Sequence, residues 1–249
     1  MGALDCFGTR SWMEPAITGI GRLPGRVPLV PAESTSWDEP SPWKASLDGQ
    51  WLFFLAKNPD ALTEQSLLGP IDEDAKGWGP IDVPGTWQTQ GYGLPWYTNT
   101  LYPFDTEPPL VPTSDNPTGV HVTTIWPLET YGKGWSRRRT ILRIGGADSV
   151  HYVFVNGQPV GMGKDTRLTS EYDLTDHLRA DQPAILTVVV VRWSDATWLE
   201  DQDQWWLSGI TRSVELVSVP KTHLFDVRAT AGLAADRVTG TLDLDVEVR

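Results

Sequence analysis

The sequence predicts an all-β chain: a two-sheet β-sandwich of jelly-roll type, followed by the first strands of a second, incomplete β domain. Three observations point to β structure. Short runs rich in Val, Ile, Phe, Tyr and Trp recur between Gly, Pro, Asn and Asp punctuation. Amphipathic helical patterns of useful length are nearly absent, residues 60–68 being the best short candidate. Connections are long and strand spacing is irregular, which suits a chain crossing between two sheets better than a barrel.

Taken in order, residues 1–45 form an extended amino-terminal arm. Pro15, Pro24, Pro28, Pro31, Pro40 and Pro42 forbid long helix or central strand there. Its first ten residues are equally open to being a partly disordered terminus. Residues 46–219 carry the main β signals. QWLFFL (50–55) is an apolar, aromatic run and predicts a buried strand, and Ile81-Asp82-Val83 ends at the turn signal Pro84-Gly85. Residues 91–119 are rich in Pro, Tyr, Asn and Thr without periodicity; loops of that length are usually functional. Residues 150–163 read as a hairpin, because Asn156-Gly157 supplies the two positive φ angles of a type I′ turn. Residues 170–178 suit a strand end with one helical turn. ILTVVVVR (185–192) is a β-branched run buried on both faces, and RSVELVSV (212–219) alternates. Residues 220–249 change texture. Leu242, Leu244, Val246 and Val248 share a face that two strands cannot bury alone, so these residues read as the first strands of a truncated domain.

Composition narrows the function classes. The 249 residues carry 20 Lys and Arg against 32 Asp and Glu, a net charge of −12. No basic patch suits a phosphate backbone, and the acidity disfavours anionic lipid surfaces, so neither nucleic acid nor membrane is an expected partner. No stretch approaches the ~18 apolar residues of a membrane span. The single cysteine, Cys6, excludes an intrachain disulfide, and a cytoplasmic location is expected.

The densest chemistry lies in residues 192–210, RWSDATWLEDQDQWWLSGI. Trp193, Trp198, Trp205 and Trp206 stand there among Asp195, Glu200, Asp201 and Asp203. Indole faces pack on the C–H faces of a pyranose, and carboxylates accept from its hydroxyls. The tryptophans have two readings, sugar platform or core, with most assigned to core and at most one to ligand. Glu200 and Asp203 are poor candidates for a catalytic pair. Such a pair must flank a scissile bond from opposite faces, with one acid in an apolar pocket. His121, His151, His177 and His223 lack metal-ligand spacing. Arg137-Arg138-Arg139 reads as a solvated strand entry.

Several blocks together resemble glycoside hydrolase family 2, in its bacterial β-galactosidase branch. They are ITGIGRLPGR (17–26), LDGQWLF (47–53), VPGTWQTQGYG (83–93), PWYTNTLYPF (95–104), NPTG (116–119), VFVNGQPVGMGKDTRLTSEYDLT (153–175) and residues 192–210. The chain departs from the family's pattern at Gly21, at Ala196-Thr197-Trp198, and at Gln204 and Trp206. The resemblance implies a sugar-binding jelly roll, then an immunoglobulin-like domain, then a catalytic barrel outside these residues. No catalytic residue is therefore expected here, and the isolated chain is expected to be inactive. The resemblance assigns substrate binding to Asn99 and Asp203. It also makes Asp203 a ligand in an incomplete sodium site, with Asp201 as runner-up. Sodium and magnesium are expected for the complete enzyme, with a β-galactoside as substrate, the barrel as partner, and a homo-oligomeric assembly. A free-standing carbohydrate-binding module is the rival reading.

Overall fold

The β-branched run that reads as buried on both faces forms Ala184–Val191, the middle strand of a seven-stranded sheet in the computed structural model. The structure describes all residues except 1, 28, 34–38, 71–74, 100, 106 and 201. The sheet order is Gly19–Ile20, Gln158–Gly163, Val150–Val155, Ala184–Val191, Thr118–Ile125, Gly49–Ala56, Trp78–Val83, with every pairing antiparallel. A second sheet orders Ser170–Asp173, Arg139–Ile144, Val214–Val219, Lys44–Ser46. Alternation along Ala184–Val191 divides the core in two, because successive side chains point to opposite faces. Leu186, Val188 and Val190 pack with Phe53, Trp87, Leu142, Ile144 and Leu216, filling the space between the sheets. Val189 and Val191 face the other way, onto Tyr152, Phe154, Val120 and a layer supplied by the amino terminus. The chain is all-β, with short 3₁₀ turns and a single α-turn, Thr197–Glu200, among the described residues.

That second core settles the open reading of the first residues. Leu4, Phe7 and Trp12 are buried, and Phe7 lies 5.5 Å from the rings of both Tyr152 and Phe154. The segment is ordered because its aromatic side chains cover a sheet face that would otherwise meet water. Gly19–Ile20 then pairs with Met162 and Gly163, capping a sheet edge. The hairpin turn forms as its residues predict, with φ of 51° at Asn156 and 74° at Gly157.

Residues 60–68 do not form the helix suggested as the best candidate. They hold two 3₁₀ turns, Pro59–Ala61 and Gln65–Leu67. Asn58 Oδ1 accepts from Ala61 N at 2.9 Å, and Thr63 and Ser66 exchange side-chain bonds with each other's backbone N–H at 3.2 Å. Those local bonds offer the backbone an alternative to helix. Arg138 also departs from the solvated reading: its guanidinium lies 3.8 Å over the Trp43 ring and donates to Ser218.

Beyond Pro220, Leu224–Leu233 and Gly240–Val248 pair as an antiparallel ribbon. Leu242, Leu244, Val246 and Val248 are exposed on it. Its base is fixed by Phe225, which is buried between the Arg26 and Arg249 guanidinium groups at 4.4 and 3.7 Å. Arg26 Nη1 also donates to the Phe225 carbonyl at 2.8 Å.

Candidate functional site

Parts of several of the blocks carrying the family resemblance meet around residues 192–210. Asn116 grips Trp193 through two bonds, Nδ2 donating to its carbonyl at 2.8 Å and Oδ1 accepting from its N–H at 2.9 Å. Gln88 Oε1 accepts from Ser208 N at 3.0 Å, and Trp87 N donates to the Ser208 carbonyl. Gly209–Ile210 lies between Gly85–Thr86 and Ala147–Asp148 in a small three-stranded sheet. Gly209 has φ of 142°, and a Cβ there would meet the Gly85 carbonyl at 2.5 Å, so the close approach requires glycine.

From this base projects a two-stranded ribbon that the aperiodic reading of residues 91–119 overlooked. Trp96–Thr98 pairs with Gln204–Trp206 in the register Thr98 to Gln204, Tyr97 to Trp205, Trp206 to Trp96. Three residues are too few for alternation to stand out in a Pro-rich stretch. Asn99 and Asp203 are the residues next to the ribbon's last pair, Thr98 and Gln204, at its end. Both are exposed. Tyr97 donates its hydroxyl proton to Asp203 Oδ1 at 2.5 Å, and its ring lies 5.6 Å from Trp205. That bond holds the Tyr97 phenol above its ordinary pKa, with desolvation and the Asp203 charge adding to it. Tyr97 had no assignment from the sequence, and its signal was its place two residues before Asn99.

The tryptophans divide as the chemistry of burial requires. Trp193 is buried, and Trp198 and Trp206 pack against the same core. Trp206 Nε1 donates to Thr98 Oγ1 and Trp198 Nε1 to the Leu110 carbonyl, so both indole N–H groups are satisfied. The Tyr102 ring lies tilted 4.2 Å from that of Trp198, and its hydroxyl donates to the Trp198 carbonyl at 2.9 Å. Trp205 alone among the four is open, 57 % exposed. Arg192 ties the ribbon to the sheet, donating to the carbonyls of Trp206 and Leu94. Burial lowers its pKa to about 10, against the opposing charges of Asp148 and Asp115.

The acids occupy separate settings. Glu200 Oε1 accepts from Thr166 N at 3.1 Å, whereas Asp203 meets Tyr97 on the ribbon. Asp148 is raised to about 7, first by burial and then by Glu200, with Arg167 and Arg192 opposing. Asp201 lies outside the described residues. No group of three or more His, Cys, Asp or Glu able to hold a metal occurs among the described residues. His121 and His151 are core residues, with pKa values lowered by burial to about 4 and about 3. Among the described residues, no helix is long and apolar enough to cross a membrane.

Comparison with known proteins gives this arrangement a family. Residues 44–220 match the family model for the sugar binding domain of glycosyl hydrolases family 2. The β-galactosidase of Pectobacterium atrosepticum is 39 % identical over 98 % of this chain and 23 % of its own length. That of Psychromonas ingrahamii is 39 % identical over 93 % of this chain and 22 % of its own. The chain thus spans about a quarter of the length of these curated relatives, and it matches their amino-terminal portion. Among solved structures, a Bacteroides uniformis β-glucuronidase superposes with a TM-score of 0.61 at 21 % identity, covering 82 % of this chain and 22 % of that one. A Ruminococcus gnavus β-glucuronidase gives 0.59 at 18 % identity, covering 83 % and 32 %. At such identities the likeness is one of fold. The sequence match over most of the chain shows that this protein belongs to glycoside hydrolase family 2.

Proposed function

We propose that this chain is the non-catalytic amino-terminal part of a retaining β-galactosidase, and that its ribbon end forms one wall of the galactose pocket. The observation that carries the reading is the ribbon register, whose last pair, Thr98 and Gln204, is flanked by Asn99 and Asp203 at the end of the open Tyr97–Trp205 face. An amide donates to and accepts from hydroxyls at once, a carboxylate accepts, and an exposed indole offers a face to a pyranose. Asp203 would give one oxygen to a sodium ion whose other ligands come from outside this chain. Magnesium, if used, would be held by the rest of the enzyme.

The catalytic acids belong to a barrel domain beyond these residues. A retaining pair needs carboxyl groups about 5–5.5 Å apart across the bond. Glu200 and Asp203, held by a backbone N–H and a phenol on different elements, are suited to anchoring instead. The ribbon and the segments flanking it carry Leu94, Trp96, Leu101 and Leu199 as exposed apolar side chains, which suits a surface completed by another domain. Residues 220–249 would open the immunoglobulin-like domain that follows. The complete enzyme is expected to be a cytoplasmic homo-oligomer.

Assay of the purified chain on a chromogenic β-galactoside, with calorimetric titration of galactose, tests the reading. No turnover and only weak binding are expected, because part of a subsite recovers little of the cost of immobilising a sugar. Turnover abolished by Glu200→Gln would overturn it. Tight binding by the chain alone would favour the free-standing module, for which the open Trp205 and Tyr97 are the supporting observation.

A further inference from the structure

Lys164 follows the strand Gln158–Gly163 and is buried, a costly place for an ammonium group unless oxygens surround it. Its Nζ donates to the Glu14 carbonyl at 2.9 Å and lies 2.7 and 2.8 Å from the Asp195 Oδ1 and Oδ2 atoms. The two side chains are only 6 % and 7 % exposed. Burial lowers the lysine's pKa, and the hydrogen bond and charge of Asp195 oppose that shift.

The oxygens come from two segments far apart in sequence. Glu14 belongs to the amino-terminal layer, and Asp195 opens the loop that leads to the ribbon. The backbone laces the same segments together, with Asp195 N donating to the Trp12 carbonyl at 2.9 Å and Lys164 N to the Thr18 carbonyl at 3.1 Å. Asp195 Oδ1 also accepts from Ala196 N at 3.0 Å, at the start of the turn Thr197–Glu200. The far end of that turn is tied back by Glu200 to Thr166, two residues after Lys164. Asp203 comes three residues later.

We propose that Lys164 is a positioning residue for the sugar-facing loop: its ammonium is a built-in cation that clasps the amino-terminal segment to Asp195 and so fixes the loop bearing Asp203. The proposal rests on the reading of Asp203 as a galactose contact. A buried ion pair adds little net stability over an apolar pair of similar volume, but it defines which segments meet. The clasp should therefore be felt in the loop before the rest of the fold.

Residue-resolved amide hydrogen exchange on the full 249-residue chain tests the clasp. In Lys164→Ala, amides of residues 195–206 should exchange about tenfold faster, while those of Ala184–Val191 change far less. Added n-propylammonium, which can refill the vacated site, should restore slow exchange, and sodium chloride at equal ionic strength should not. Asp195→Asn, nearly unchanged in shape, should open the same loop and gain nothing from the amine. It decides the matter alone if Lys164→Ala does not fold. An unchanged loop, equal acceleration in loop and central strand, or rescue by sodium chloride would overturn the clasp. Galactose titration followed at the Asp203 and Trp205 amides separates the two readings. No perturbation in the wild-type chain removes the sugar reading and leaves the clasp to be judged on exchange. Wild-type perturbation that weakens about tenfold in Lys164→Ala supports both. Unchanged galactose affinity despite an opened loop would refute the positioning role.

Discussion

The central strand Ala184–Val191 and the ribbon Trp96–Thr98/Gln204–Trp206 are both antiparallel β structure, yet different forces hold them. Seven of the strand's eight residues are buried, and it is paired along both edges. The ribbon has one partner per strand, three residue pairs, and rings that stay in water at Trp96, Tyr97 and Trp205. A two-stranded ribbon of that length is marginal by itself. It stands because Trp206, Trp198 and Tyr102 anchor its flanks to the core and Arg192 bonds the Trp206 carbonyl. Burial builds the platform and leaves the rings of the short ribbon open to water.

The largest expected break in this contrast is in the platform. Phe154→Ala deletes a ring buried against Phe7 in the second core, and should cost about 3–5 kcal/mol by chemical denaturation. Trp205→Ala removes a ring of similar bulk from the ribbon and should cost under about 1 kcal/mol. Equal losses would mean that the ribbon is part of the core's cooperative unit.

The second break is by acid. His121 and His151 are held neutral by burial, with folded pKa values of about 4 and about 3 against an ordinary 6.5. Their contribution is fully present above pH 6.5 and is lost as pH falls toward the folded values, because the unfolded chain binds the proton first. For His121 alone the loss at pH 4 is on the order of 3 kcal/mol. His121→Gln should flatten the stability profile between pH 6.5 and 4, measured as denaturation midpoints across that range. An unaltered slope would show that this histidine is not held neutral. Asp148 works in the opposite direction at the loop end. Its folded pKa of about 7 lies above the ordinary 3.8, so its protonated form favours folding and that favour fades as pH rises from 3.8 through 7. Asp148→Asn should raise stability at pH 8 by roughly 1–2 kcal/mol, discounted for its partial exposure.

The platform was legible in the sequence and the ribbon only in part, for a physical reason. ILTVVVV announces a central strand by composition alone, and Asn156-Gly157 announces a turn through the φ angles it permits. Such signals are local. The ribbon forms because distant anchors hold it, and nothing in residues 91–119 records that Gln204–Trp206 will lie beside Trp96–Thr98. The order of residues 2–13 is likewise a consequence of a sheet face formed by residues 150–163 and 184–191. Asn99 and Asp203 were singled out by the family resemblance alone. Tyr97 needed the register. Lys164 was hidden because its partners, Glu14 and Asp195, lie on other elements.

The smallest effect on stability is also the sharpest probe of the ribbon. Tyr97→Phe removes one hydroxyl from an exposed ring and should shift the unfolding midpoint barely, by under about 0.5 kcal/mol. That hydroxyl nevertheless donates to the Asp203 carboxylate at 2.5 Å and orients it. Without it the carboxylate samples further rotamers, and a ligand must bear the cost of restoring one of them, about 0.5–1.5 kcal/mol for an immobilised side chain. In a galactose titration of the chain, Tyr97→Phe should therefore weaken affinity by about two- to tenfold at nearly constant stability. Asp203→Asn should weaken it at least as much, since the amide replaces an acceptor oxygen with a donor. The double variant should then weaken it no further than Asp203→Asn alone, because Tyr97 acts through that carboxylate. Additive losses would place the Tyr97 hydroxyl on the sugar itself, and no loss from either change would leave the ribbon end without a sugar to hold.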